Sequence, residues 1–135
     1  VQDRFANTVL LRAEKCRESI PLLRLVIGGV AARSKVSVDQ LDDLQLAVET
    51  LIVEERSYEG QLVLEVQAKE GSFWLRLDGL CNQEVRTLLQ SAPDEQPRGP
   101  RFIDVRMLLD ALVDDYWVDE VDCDNFAVRL EKSTS

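Results

Sequence analysis

The segment Ser37–Glu55, "SVDQLDDLQLAVETLIVEE", decides how the rest of this 135-residue chain is read. Ser37 and Gln40 have the spacing of a capping box, in which the serine hydroxyl accepts from a backbone N–H and the glutamine reaches back to the serine's own N–H. A helix is therefore expected to start here. Leu41, Leu44, Val48, Leu51 and Ile52 follow at spacings of three, four, three and one. That periodicity puts them on one side of the helix, facing a core.

Upstream, "FANTVLLRAE" (Phe5–Glu14) is rich in strand formers. "IPLLRLVIGGVAARS" (Ile20–Ser34) is an apolar helical pattern whose Pro21 is tolerated in a first turn, with Gly28 and Gly29 weakening it locally. Downstream the period changes to two: "LVLEVQAKEGSFWLRLDG" (Leu62–Gly79) gives two alternating runs joined at "AKEGS", where Gly71 supplies a turn residue. "NQEVRTLLQ" reads as a short helix, "SAPDEQPRGP" as a loop, and "RFIDVRMLLDALVDD", from about Ile103 to Asp114, as a second amphipathic helix. Tyr116–Val121 and Phe126–Leu130 are strand candidates around an Asp-Asn turn. Strands joined by tight turns, with helices gathered between them, predict one α+β domain over residues 1–135. The expected architecture is a two-layer α/β sandwich, a mostly antiparallel mixed sheet with helices on one face.

Composition narrows the chemistry. A net charge of −9 and a pI near 4.5 argue against a nucleic-acid partner, since a basic face supplies most of the affinity for a phosphate backbone. No apolar run approaches the ~18 residues a membrane span needs, and "VQDRFANTVLLRAEKC" lacks the basic-then-apolar pattern of a secretory signal, so neither a membrane nor export is expected. Cys16, Cys81 and Cys123 are odd in number and widely spaced, which suits a reduced cytoplasmic setting. The chain has no histidine, which removes His-based acid–base chemistry and Ser-His or Cys-His nucleophile pairs. The acid cluster Asp114, Asp115, Asp119, Glu120, Asp122 and Asp124 alternates along the last hairpin. Asp119, Val121 and Cys123 are expected on one face and Glu120, Asp122 and Asp124 on the other, as a solvated strand surface and not a calcium or magnesium site. Trp74, Tyr116 and Trp117 read as core or sheet-face aromatics before they read as an interaction hot spot.

The element order, with "LRLVIGGVAAR" for the first helix, "VDQLDDLQLAVE" for the second, "LLDALVDD" for the last and "NFAVRLEK" for the closing strand, resembles the ATPase domain of the histidine kinase, gyrase and Hsp90 superfamily. Within it the chain is most similar to the anti-sigma factor serine kinase branch, over about Phe5 to Lys132. The resemblance implies the histidine kinase-like ATPase fold, ATP with magnesium as cofactors, and a homodimer in which the first strand, Arg4–Leu11, pairs at a sheet edge.

The motifs that would carry the chemistry are altered. The family's second helix has Glu-x-x-x-Asn, a general base and a magnesium ligand. Alignment on Leu46, Ala47 and Val48 puts Thr50 at the base position and Glu54 at the metal position. Sliding one residue rescues Glu49 as the base but puts Val53 at the metal position, where an apolar side chain cannot ligate magnesium. Glu54 is the one metal candidate, read first as a solvated glutamate. The family's Asp-x-Gly-x-Gly, whose aspartate reads adenine, corresponds to "LRLDGLCNQ". Strand parity with Phe73, Leu75 and Leu77 assigns the aspartate position to Gly79 and leaves Asp78 on the wrong face unless a bulge rotates it back. The two glycines of the lid fall at Ile103 and Val105, both β-branched. The resemblance therefore implies a non-catalytic protein-binding regulator with a degraded ATP site and no bound cofactor. In a partner-switching circuit its partner is a sigma factor or an anti-anti-sigma-like antagonist. The alternative is an active serine/threonine kinase using ATP and magnesium.

Overall fold

The computed structural model describes residues 7–91 and 100–134. Strand β1 (Asn7–Glu14) is followed by a single 3-10 turn, then by α1 (Ile20–Ala31), α2 (Val38–Val53), β2 (Gln61–Lys69) and β3 (Ser72–Leu80). The chain continues through α3 (Gln83–Gln90), α4 (Pro100–Leu112), β4 (Asp115–Glu120) and β5 (Phe126–Ser133). Most of the expected loop, and the start of the expected first strand at Arg4, Phe5 and Ala6, lie outside the described residues.

The five strands form one sheet in the order β1-β2-β3-β5-β4. Every pairing among the described residues is antiparallel, so the parallel component anticipated in a mixed sheet does not occur among them. The cause lies in the connections. β2–β3 and β4–β5 are hairpins, and between β1 and β2 the chain runs out along α1 and back along α2. The reversal is visible in Arg24, which pairs with Glu49, and in Gly28, which lies beside Gln45. The chain thus returns to the end of the sheet it left, which dictates an antiparallel neighbour.

The expected capping box is present: the Gln40 N–H donates to the Ser37 hydroxyl at 3.1 Å, and the Ser37 N–H to the Gln40 side chain at 2.9 Å. α1 runs unbroken through both glycines. Gly71 turns the first hairpin at φ 82°. In the last hairpin, Asp122 Oδ1 accepts from the N–H groups of Asp124 and Asn125 at 2.8 and 2.7 Å, an Asx turn. β4 ends at Glu120, so the two-face sorting of carboxylates holds only for Asp119 and Glu120. Val121, Asp122, Cys123 and Asp124 lie in the turn, where strand alternation no longer applies.

Burial alternates along β2, and along β3 as far as Asp78. Leu62, Leu64, Val66, Phe73, Leu75, Leu77, Val128 and Leu130 join Leu23, Ile27, Leu44, Val48, Leu51, Ile52 and Leu109 in a single core between sheet and helices. The molecule is α+β, with the helical layer on one face and a half-exposed opposite face carrying Trp74, Arg76, Asp78 and Arg129. No helix among the described residues is long and apolar enough to cross a membrane.

Candidate functional site

The positions singled out from sequence come from α2, β3 and α4. Thr50 turns its hydroxyl back along α2, donating to the Leu46 carbonyl at 2.8 Å. Glu54 is the C-cap residue of α2, and its carbonyl accepts from Asn82 Nδ2 at 2.6 Å. A hydroxyl engaged with its own helix is no general base, and threonine has no carboxylate to supply.

At the end of β3 the register shifts between Asp78 and Leu80. The bulge returns Leu80 to the core and leaves Asp78 half-buried on the open face. Asp78 Oδ1 accepts the Gly79 N–H at 2.7 Å, and its other oxygen lies 3.5 Å from Arg76. A bulge is thus present, but it does not rotate Asp78 to the helix side. Gly79, the extra residue, has φ 99°, and a Cβ built there would lie 2.2 Å from the Gln61 carbonyl oxygen. No side chain of any kind fits that position without moving the β2 backbone. Val105 is 2% exposed within the core. The helix expected from about Ile103 begins at Pro100, so Ile103 and Val105 both sit on helical backbone instead of a wrapping loop. The side chain of Ile103 lies outside the described residues.

The residue after Glu54 has a different role. Glu55 and Lys15 form an ion pair at 2.5 Å, with side chains 2% and 1% exposed. Glu55 also accepts from the backbone N–H of Cys81 at 2.8 Å and of Asn82 at 3.0 Å, and from the Cys81 thiol at 3.3 Å. Lys15 donates to Cys81 Sγ at 3.1 Å. Burial works to lower the pKa of Lys15. The hydrogen bonds to Glu55 and Cys81 and the charge of Glu55 outweigh it, so the ammonium is held above its ordinary value. Asn82 completes the node by capping α3, its Oδ1 accepting from Glu84 and Val85. The node binds the end of β1, the end of α2 and the β3–α3 junction, and it places an amine, a thiol and a carboxylate within contact. Sequence reasoning stopped at Glu54 and missed it. The signal was available: the stripe Leu44, Val48, Leu51 and Ile52 continues to Glu55, and Leu11 and Ala13 alternate to Lys15.

The open sheet face holds a second charged group. Asp119 Oδ2 accepts from Arg129 Nε at 2.6 Å and from Arg76 Nε at 3.0 Å. Partial burial acts to raise the Asp119 pKa, but the two guanidinium groups prevail and hold it below the usual carboxylate value. The Arg129 guanidinium lies 6.0 Å from the Trp74 ring centre and 5.9 Å from that of Trp117. Lys69, Trp74, Trp117, Arg129 and Glu131 line a shallow cleft of about 230 Å³ here. Trp74 and Trp117 are sheet-face aromatics, while Tyr116 lies half-buried against the core on the other face. Burial and a hydrogen bond to Asp110 hold the Tyr116 phenol above its ordinary value. Among the described residues, no three Cys, Asp or Glu side chains are grouped to hold a metal ion. A scan of the chain against protein-family models matches none, and a search of curated proteins finds no relative.

Proposed function

We propose that the chain is a non-catalytic protein-binding regulator, built on a histidine kinase-like ATPase scaffold and resembling an anti-sigma factor. Its place is a cytoplasmic partner-switching circuit, with a sigma factor or an antagonist protein as partner. The five-stranded sheet under a single helical layer, with its capping box and closing hairpin, is compatible with that scaffold. The observation that carries the reading is Gly79. The position that would have to present a carboxylate to adenine is a glycine at φ 99°, packed on the Gln61 carbonyl, and the neighbouring Asp78 is turned to Arg76 on the opposite face. Thr50 and Val105 support the same reading, one bonded to its own helix and one buried. Magnesium–ATP finds no matching donor set at Thr50, Glu54 and Gly79.

The test is thermal unfolding with and without ATP and magnesium. A ligand at a hundred times its Kd stabilises the native state by about 2.7 kcal/mol, which would raise Tm by about 5 °C or more for a domain of this size. The expected outcome is an unchanged Tm in millimolar ATP–magnesium. A rise of that size would restore the kinase alternative, with Glu54 as the first metal ligand to replace.

A further inference from the structure

We propose that Lys15 and Cys81 are a modification site, a pair that peroxide converts into a covalent lysine–cysteine N–O–S crosslink. This goes beyond the proposed function and stands independently of it. Three observations carry it. The Lys15 amine is 3.1 Å from Cys81 Sγ, a gap in which a single oxygen atom can be placed between them with little backbone movement. The two are 66 residues apart in sequence, yet Lys15 is 2% exposed and fixed in place by Glu55, so the pairing is held by the fold and not by chance encounter. Cys81 is a free cysteine and only partly buried, whereas Lys15 and Glu55 are buried, so a small oxidant approaches the pair from the side of Cys81.

The chemistry balances with hydrogen peroxide as the oxidant. The Cys81 thiol passes its proton to Glu55, its hydrogen-bond acceptor. The thiolate attacks one peroxide oxygen; an S–O bond forms, the O–O bond breaks, and the departing hydroxide recovers the proton as water, leaving a sulfenic acid. A second peroxide, entering by the same opening, takes the lone pair of the Lys15 amine once its ammonium proton has passed to Glu55, the carboxylate paired with it. An N–O bond forms, the O–O bond breaks and water leaves, giving a hydroxylamine. The hydroxylamine oxygen then attacks the sulfenic sulfur, whose hydroxyl departs as water. In sum, one amine, one thiol and two peroxides give one Nζ–O–Sγ bridge and three waters, and the four electrons lost by nitrogen and sulfur reduce the two peroxides.

The experiment uses the full chain carrying Cys16→Ser and Cys123→Ser, so that Cys81 is the only thiol. After treatment with hydrogen peroxide, intact mass and peptide mapping are recorded before and after dithiothreitol. The expected result is a species about 14 Da heavier, one oxygen gained and two hydrogens lost, mapped to a Lys15 peptide joined to a Cys81 peptide and reversed by dithiothreitol. Lys15→Arg, which keeps a cation for Glu55, should abolish that species and leave additions of about 16 or 32 Da on Cys81 alone. Either those simple additions or an unmodified Cys81 in the Lys15-containing protein would overturn the proposal.

Discussion

Two ion-pair clusters, one at the end of α2 and one on the open face of the sheet, differ in almost every consequence. Lys15 and Glu55 are buried at the end of α2 beside the partly buried Cys81, and each charge depends on its partner because water does not replace it there. Arg76, Asp119 and Arg129 lie on the open face with side chains 24, 26 and 41% exposed, where solvent can take over either role. Gly79 divides them: its bulge keeps Asp78 beside Arg76 outside while bringing Leu80 to the core and Cys81 to the buried node. Charge pattern alone does not separate an interior fastening from a surface group; the environment does.

The largest effect is expected at the buried pair. Lys15→Met leaves the Glu55 carboxylate buried without its cation and should lower the unfolding free energy by about 3–5 kcal/mol in urea titrations. A loss below about 1 kcal/mol would put the two clusters on the same footing. The pH dependence has a definite sign. Because the folded pKa of Lys15 is raised, its contribution is complete below the unfolded value and is lost as pH rises through the folded one. Lys15→Met should remove that alkaline component.

Gly79→Ala tests the divider. A non-glycine residue at φ 99°, with its Cβ against the Gln61 carbonyl, should cost about 2–3 kcal/mol by the same titrations. A neutral result would mean the bulge relaxes freely and does not fix the two faces.

The open cluster should respond more weakly. Asp119→Asn removes the charge shared by two arginines, and a loss of about 1 kcal/mol or less is expected in urea. Asp119 has a lowered pKa, so its contribution is present above the ordinary carboxylate value and disappears as pH falls through the lowered one. The variant should therefore lose less stability on acidification than the parent chain. Arg129→Ala should be smaller still in stability, within about 0.5 kcal/mol, while changing the fluorescence of Trp74 and Trp117 as the cation leaves their rings. An unchanged emission spectrum would argue that the cation and rings are not in contact in solution.

The fold was largely legible because its signals are local. The Ser37–Gln40 box, the switch from helical to alternating period at Leu62, and the turn residues Gly71 and Asp122 each act within a few residues of where they are written. The node was harder to read because its contacts span distances no local pattern encodes, from Lys15 to Glu55 and on to Cys81 and Asn82. The strand parity of Gly79 was readable, whereas the bulge that makes glycine obligatory there arises from β2 packing on β3. The pairing of Arg129 with Asp119 likewise required the register of β4 on β5. The antiparallel pairing of β1 with β2 followed from the return path of α1 and α2, which element order alone leaves open.

On the proposed reading, Thr50, Glu54 and Gly79 stand where the resembled ATPases hold their nucleotide and serve other ends in this chain. Calorimetric titration of ATP with magnesium into the purified chain, beside a Thr50→Glu, Glu54→Asn variant, tests it most directly. Loss of two buried hydrogen-bond partners, at about 1–3 kcal/mol each, should weaken binding by two to three orders of magnitude or more, so the parent chain is expected to give no saturable heat up to about 1 mM ATP. The variant should not recover binding either, because Gly79 still offers no carboxylate to adenine. Saturable binding by the parent chain with a micromolar Kd would overturn the non-catalytic reading.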